Sequence, residues 1–218
     1  MKSSPLQFLV LFGKTGCGKS EILRYLREKG EQVLELEKLA AHKGSAFGNL
    51  GKFIQPPQDV FEEEIKKKLE SFQTTRPVWV EYETSYLGKL QIPDELRELM
   101  KHGKLVVITC EQQVRIQRII DEYAKHPTDE LLAALLKVKK KLGRKKYRKA
   151  RESIREQDFQ TAASILITYY DKVYENGLKQ SNLEILGNLN LEGTASLHHA
   201  AQLLTFYKTL SLKSENPV

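Results

Sequence analysis

Gly13-Lys14-Thr15-Gly16-Cys17-Gly18-Lys19-Ser20 reads G-x-x-x-x-G-K-S and follows directly on the apolar run Phe8-Leu9-Val10-Leu11-Phe12. Behind it, Ser20 to Lys29 carries apolar residues at Ile22, Leu23 and Leu26, a helical spacing. Strand, glycine loop, helix is the context that separates a phosphate-binding loop from a chance match. Glycines let the backbone turn tightly and bring its N–H groups to phosphate oxygens. A helix N-terminus adds unpaired donors and partial positive charge. The eight residues Gly13 to Ser20 are therefore candidate phosphate or nucleotide contacts, ATP included. Lys19 is the candidate catalytic cation that neutralises the phosphates, and Ser20 the candidate Mg²⁺ ligand.

Outward from that loop, strands and helices alternate, the signature of a doubly wound parallel sheet. Gln32 to Glu37 reads as a second strand, Asp59 to Phe72 as a helix with Val60, Phe61, Ile65, Leu69 and Phe72 on its apolar face, and Arg76 to Glu83 as a third strand. Pro93 opens a helix at its first position, running through Met100. Leu105 to Cys110 is a fourth strand and Glu111 to Lys125 a helix. The expected fold is an α/β, phosphate-loop NTPase-like parallel sheet over residues 1–127. A helical, basic extension over 128–218 follows, with Thr128 as N-cap and Asp129-Glu130 in the first turn. Leu183 to Leu191 gives no clear pattern, and the tail from Lys213 to Val218 is expected to be disordered.

Several segments add chemistry. Residues 38–58 form a long glycine-rich stretch ending in Phe53-Ile54-Gln55-Pro56-Pro57-Gln58, and it carries His42, Lys43, Gly44, Ser45 and Phe47. A loop of that length in a compact domain is usually functional or disordered. After strand two it leaves the carboxyl edge of the sheet, where ligands bind; a plain surface connector is the other reading. Glu81 and Glu83 end the third strand two residues apart, hence on one side of it. Either can serve the Mg²⁺ water shell or orient a nucleophile as a catalytic acid or base, or both can be edge carboxylates leading into the loop at Thr84. Arg115 and Arg118, one helical turn apart, are positioned either to reach ligand phosphates or to sit on the surface. Residues 137–151 hold ten Lys or Arg and no acid, among them Lys139, Lys140, Lys141, Arg144, Lys145, Lys146, Arg148 and Lys149. Unbalanced charges at that density suit an anionic partner such as nucleic acid, although basic runs also occur as solvated helix faces. Tyr169, Tyr170 and Tyr174 can line a site or pack as core tyrosines with satisfied hydroxyls.

The bulk numbers agree with this picture. The chain has 218 residues, 40 % hydrophobic and 29 % charged, with net charge +7 and two cysteines. Two cysteines do not make a disulfide framework, and a reducing compartment fits best. There is no apolar run of the roughly eighteen residues that would span a membrane, and no secretory leader pattern. A cytoplasmic protein with no membrane partner is expected.

Taken together and in order, the phosphate loop, LAAHKGSAFG (39–48), RPVWVEYE (76–83), VRIQRIIDEY (114–123), KKKLGRKK (139–146) and LITYYDKVY (166–174) resemble the phosphate-loop domain of tRNA 2-selenouridine synthases. The resemblance runs over about residues 8–175. It implies a transferase acting on the wobble 2-thiouridine of tRNA, by geranylation from geranyl diphosphate and selenation with selenophosphate. Gly13 to Ser20 would then hold the donor phosphates, His42, Lys43, Ser45 and Phe47 would line the adjoining pocket, and the basic segment would meet tRNA. Family members usually begin with a rhodanese domain, for which neither Cys17 nor Cys110 offers a matching loop. The resemblance thus implies a split enzyme working with a separate rhodanese-like protein. Lys43 stands where arginine is expected, and Lys172 where proline is. A small-molecule kinase or ATPase, and a nucleotide-switched RNA-binding module, are the other function classes that a phosphate loop and a basic segment allow.

Overall fold

The computed structural model describes residues 6–51, 54–83, 85–193 and 196–215. In chain order the elements are β1 (Phe8–Gly13), α1 (Lys19–Glu28), β2 (Gln32–Leu34), α2 (Leu36–Leu39), α3 (Gln58–Ser71), β3 (Val78–Glu81), β4 (Tyr86–Leu87), β5 (Leu90–Gln91), α4 (Asp94–Lys101), β6 (Lys104–Cys110), α5 (Gln112–Tyr123), α6 (Thr128–Lys137), α7 (Lys139–Leu142), α8 (Arg144–Arg155), α9 (Phe159–Gln180), β7 (Glu184–Leu191) and α10 (Ser196–Glu215). Five strands form one sheet in the order β2-β3-β1-β6-β7, every neighbouring pair parallel. The fold is α/β, a parallel sheet flanked by helices.

The period-2 alternation along β1 divides the core between the sheet's two faces. Phe8, Val10 and Phe12 pack with Phe61 and Ile65 of α3, Leu96 of α4, and Tyr174 and Leu178 of α9. Leu9 and Leu11 pack on the other face with Ile22, Leu23 and Leu26 of α1 and Ala200 and Leu203 of α10. A third cluster lies among the helices beyond β6, where Leu131, Leu135, Val138 and Leu142, all buried, form the apolar stripe expected from their spacing.

Six local expectations give way. Strand β2 ends at Leu34, because the chain then turns off the sheet edge: the Glu37 N–H donates to Glu81 Oε1 at 2.6 Å, making 36–39 a short helix. Val60 is exposed and off the apolar face of α3. Pro93 and Pro127 occupy the N-cap positions, so Thr128 is the first residue of α6 rather than its cap. The stretch after β3 contains the hairpin β4–β5, turned by Gly88 at φ +62°.

The last correction is the largest: the chain is helical over 128–180 but not to its end. Residues 184–191 pair with β6 from Lys104 to Cys110 as the fifth strand, and α10 then covers α1. Gly187, Asn188 and Asn190, weak strand formers, and an irregularity opposite Leu105/Val106 disguise this strand in the sequence. Lys213 to Glu215 continue α10; residues 216–218, Phe53 and Thr84 lie outside the described residues.

Candidate functional site: a phosphate loop braced from behind

The glycine loop sits between β1 and α1, as its sequence demands. A Cβ on Gly13 would lie 2.6 Å from Ile108 Cγ1, so β1 and β6 approach as closely as they do only with glycine there. Gly16 and Gly18 have φ near +82° and +83°, the left-handed region that glycine enters without penalty. Lys19 Nζ donates to Gly13 O at 2.6 Å and stands 5.1 Å from the ring centroid of Tyr174. Burial opposes its charge, but Tyr174, Glu37, Cys17 and Glu83 around it hold its pKa above the usual lysine value. Lys19 is therefore a fixed ammonium curled back over the loop. Cys17 is buried, and burial pushes its thiol up despite nearby Lys19, leaving a packing residue.

Three carboxylates gather beside it. Ser20 Oγ donates to Glu37 Oε2 at 2.8 Å. Glu81 is 3 % exposed; its Oε1 accepts from Glu37 N, while its Oε2 has no hydrogen-bond partner among the described residues. Burial, with Glu37 adding, raises the Glu81 carboxyl well above the ordinary range. Burial, again reinforced by Glu37, pushes Glu83 up to about 8, with Lys19 opposing. A Cβ built on Gly44 would lie 3.0 Å from Glu83 Oε1 and 3.2 Å from Glu37 Oε1, so the 40–51 loop passes directly over the pair.

That loop is strapped down residue by residue. His42 is buried against Gly48 and Gly88, with Nδ1 unpartnered among the described residues; burial and then Lys137 lower its pKa. Lys43 pairs with Glu122 of α5. Tyr170 OH accepts from Ala46 N at 3.3 Å, and Ser45 Oγ accepts from Phe47 N at 3.2 Å. Phe47 enters the helical core beside Tyr123, ring centroids 5.9 Å apart. Of the loop residues expected around a pocket, Ser45 and Phe47 line one and Gly44 roofs the carboxylates. His42 and Lys43 instead anchor the loop.

The pocket is an apolar cavity of about 60 Å³ between α5, α6, α8 and α9. Thr15 and Ser45 stand at its phosphate-loop side, and Phe47, Ile119, Leu131, Ala163, Leu166 and Ile167 are among its walls.

Arg115 and Arg118 both meet carbonyl oxygens of the loop. Arg115 is 4 % exposed; its Nε donates to Thr15 O at 2.8 Å, and its two terminal nitrogens grip Asp171 of α9. All three of its guanidinium nitrogens are engaged in this brace. Arg118 donates from one terminal nitrogen to Gly16 O at 3.3 Å and lies 3.3 Å from His199 Nδ1 through the other. Lys14 turns to α9 as well, donating to Glu175 at 2.7 Å. Sequence reasoning misses Glu37, Asp171 and Glu175, and it leaves Tyr174 undecided. The signal for Glu37 is an acid just past the second strand of a phosphate-loop fold; for Asp171, an acid flanked by tyrosines on a helix otherwise read as amphipathic.

The ten basic residues of 137–151 are all exposed, along the end of α6, α7 and α8. Among the described residues only Arg148 forms an ion pair within 4 Å, with Glu152. Lys139 stands over the Tyr147 ring at 5.4 Å. No helix among the described residues is long and apolar enough to cross a membrane.

Comparison with known proteins follows the same line. The tRNA 2-selenouridine synthase of Marinobacter nauticus is 28 % identical over 211 residues, covering 83 % of this chain and 56 % of that protein. An uncharacterized protein of Methanocaldococcus jannaschii is 35 % identical over 116 residues, 52 % of this chain and 51 % of that one. A shikimate kinase structure from Bacteroides thetaiotaomicron covers 93 % of this chain and is itself covered to 98 %, at 15 % identity and a TM-score of 0.44. The chain spans about half the length of the curated relatives it matches. A family model described as the tRNA 2-selenouridine synthase AAA domain matches residues 6–201, and the chain belongs to that family.

Proposed function

We propose that the chain is the phosphate-loop subunit of a transferase that modifies wobble 2-thiouridine in tRNA, with geranyl diphosphate as a donor. The observation that carries this reading is the apolar cavity beside Thr15. A donor with a diphosphate head and a hydrocarbon tail matches the chemistry of a phosphate loop that adjoins an apolar pocket, although a pocket of about 60 Å³ takes only part of a ten-carbon tail. The loop's N–H groups and Lys19 hold the diphosphate and stabilise the charge it gains on leaving. The 2-thiouridine sulfur attacks C1 of the geranyl group; the C–S bond forms, the C–O bond breaks with its electron pair going to diphosphate, and N3 of the base releases its proton to solvent. The exposed lysines and arginines of 137–151 supply the sequence-independent grip on the tRNA backbone. Selenation with selenophosphate, drawing on a separate rhodanese-like protein, is the companion step of this reading. Mg²⁺ fits the residues present: the Ser20 hydroxyl and the Glu37 carboxylate are already within hydrogen-bond distance. When bound, the ion would neutralise further phosphate charge.

The test incubates purified protein with tRNA bearing 2-thiouridine and geranyl diphosphate, then reads the nucleosides by mass spectrometry. A geranyl mass gain that Lys19→Ala abolishes is the expected result. ATP hydrolysis with neither geranyl transfer nor tRNA binding would replace this reading with that of a kinase or ATPase.

A further inference from the structure

In phosphate-loop folds the acid closing the strand beside β1 is the usual candidate for the metal's protein partner. Here that strand is β3, and its acids are Glu81 and Glu83. The geometry points elsewhere: we propose that Glu37, just beyond β2, is the carboxylate that shares a divalent cation with Ser20, and that Glu81 is a positioning residue for Glu37. The proposal rests on the reading that the loop holds a phosphorylated donor.

The distances carry it. Two neighbouring ligands of an octahedral Mg²⁺, each about 2.0–2.1 Å from the ion, stand about 2.9 Å apart. Ser20 Oγ and Glu37 Oε2 are 2.8 Å apart. A cation can therefore replace the hydroxyl proton's bond to Glu37 without moving either side chain. Glu81 is differently placed. Its Oε1 is committed to the Glu37 N–H at 2.6 Å, and its Oε2 is buried with no partner among the described residues. It fixes the backbone from which the Glu37 side chain springs, and so sets where that carboxylate meets Ser20. Glu83 lies under Gly44 and forms no hydrogen bond to Ser20 among the described residues. The orphaned Glu81 oxygen is a second mark of an unfinished polar site, since buried polar atoms are ordinarily satisfied.

The experiment is a titration of MnCl₂ into the protein, with and without inorganic pyrophosphate, bound manganese being counted by electron paramagnetic resonance. Glu37→Gln is expected to weaken Mn²⁺ binding about tenfold or more, while metal-free pyrophosphate binding by calorimetry is not weakened. Glu81→Gln keeps an oxygen that can accept from Glu37 N, so it stays within about twofold of wild type; Glu81→Leu, which cannot accept, follows Glu37→Gln. Thermal melts of each variant separate loss of the ion from loss of the fold. Wild-type Mn²⁺ affinity in a folded Glu37→Gln protein, a larger loss in Glu83→Gln, or no Mn²⁺ binding by the wild type would each overturn the assignment. None of these readouts needs geranyl transfer, so failure of the transferase reading registers separately.

Discussion

Arg115→Ala separates a brace from a ligand contact. The substitution removes the bond to Thr15 O at 2.8 Å and both bonds to Asp171. Breaking one side of a buried ion pair costs about 3–5 kcal/mol, because the remaining charge is left without its partner. Here the lower end applies: the Asp171 side chain keeps 21 % exposure, and Lys14 remains 3.7 Å away. We therefore expect a loss of about 3 kcal/mol, which for a chain of this size lowers Tm by about 6–12 °C. Urea unfolding is the assay, with the midpoint falling at constant slope. A cycle with Asp171→Asn should give a coupling of about 1 kcal/mol or more, since the two side chains touch. A variant within about 0.5 kcal/mol of wild type that nonetheless loses pyrophosphate binding would refute the brace and restore the ligand contact that the sequence suggests.

Filling the apolar pocket through Ala163→Phe should weaken geranyl diphosphate binding by about tenfold while leaving inorganic pyrophosphate unaffected, as calorimetry with both ligands would show. Reversing Lys145 and Lys146 to glutamate should weaken tRNA binding and flatten the slope of log affinity against log salt, by about one unit for each phosphate no longer neutralised, in filter-binding measurements at several salt concentrations. Glu83 has a folded pKa of about 8 against an ordinary 4.5, so the stability it contributes is complete below 4.5 and lost as pH rises through 8. Glu83→Gln should consequently gain on wild type between those values and hold a constant advantage above them; urea midpoints at acid and alkaline pH that move in parallel would contradict the shift.

Most of the sheet can be read from the chain because its strands are short apolar runs that end in chemistry: β1 in glycine, β3 in glutamate. The phosphate loop can be read for the same reason, since its residue types are dictated by a backbone conformation. What stays hidden depends on distance in sequence. That Arg115 faces Thr15 and Asp171 is decided by how α5 and α9 cross behind the loop, and a helical arginine looks the same whether it meets solvent or a carboxylate. Glu37 is visible but reads as part of a strand, because only the bond from its N–H to Glu81 shows where the chain leaves the sheet. Strand β7 is obscured by its own asparagines and glycine, whose weak propensity is overridden by pairing along β6.

The neighbouring strands β6 and β7 are joined by a crossover that runs through residues 111–183, far more chain than the connection requires. Lengthening a connection costs little closure entropy, so the sheet tolerates this excursion. Its parts are not equally exchangeable, however. A chimera that swaps residues 128–157 for the matching piece of a relative exchanges the basic surface and leaves the strand register intact. One that runs on through α9 past Glu175 separates Lys14, Lys19 and Arg115 from Glu175, Tyr174 and Asp171 in a single cut. Grafting a new RNA preference onto this scaffold is thus a matter of where the splice is made: before Asp158, the cap of α9, the phosphate loop keeps its native backing.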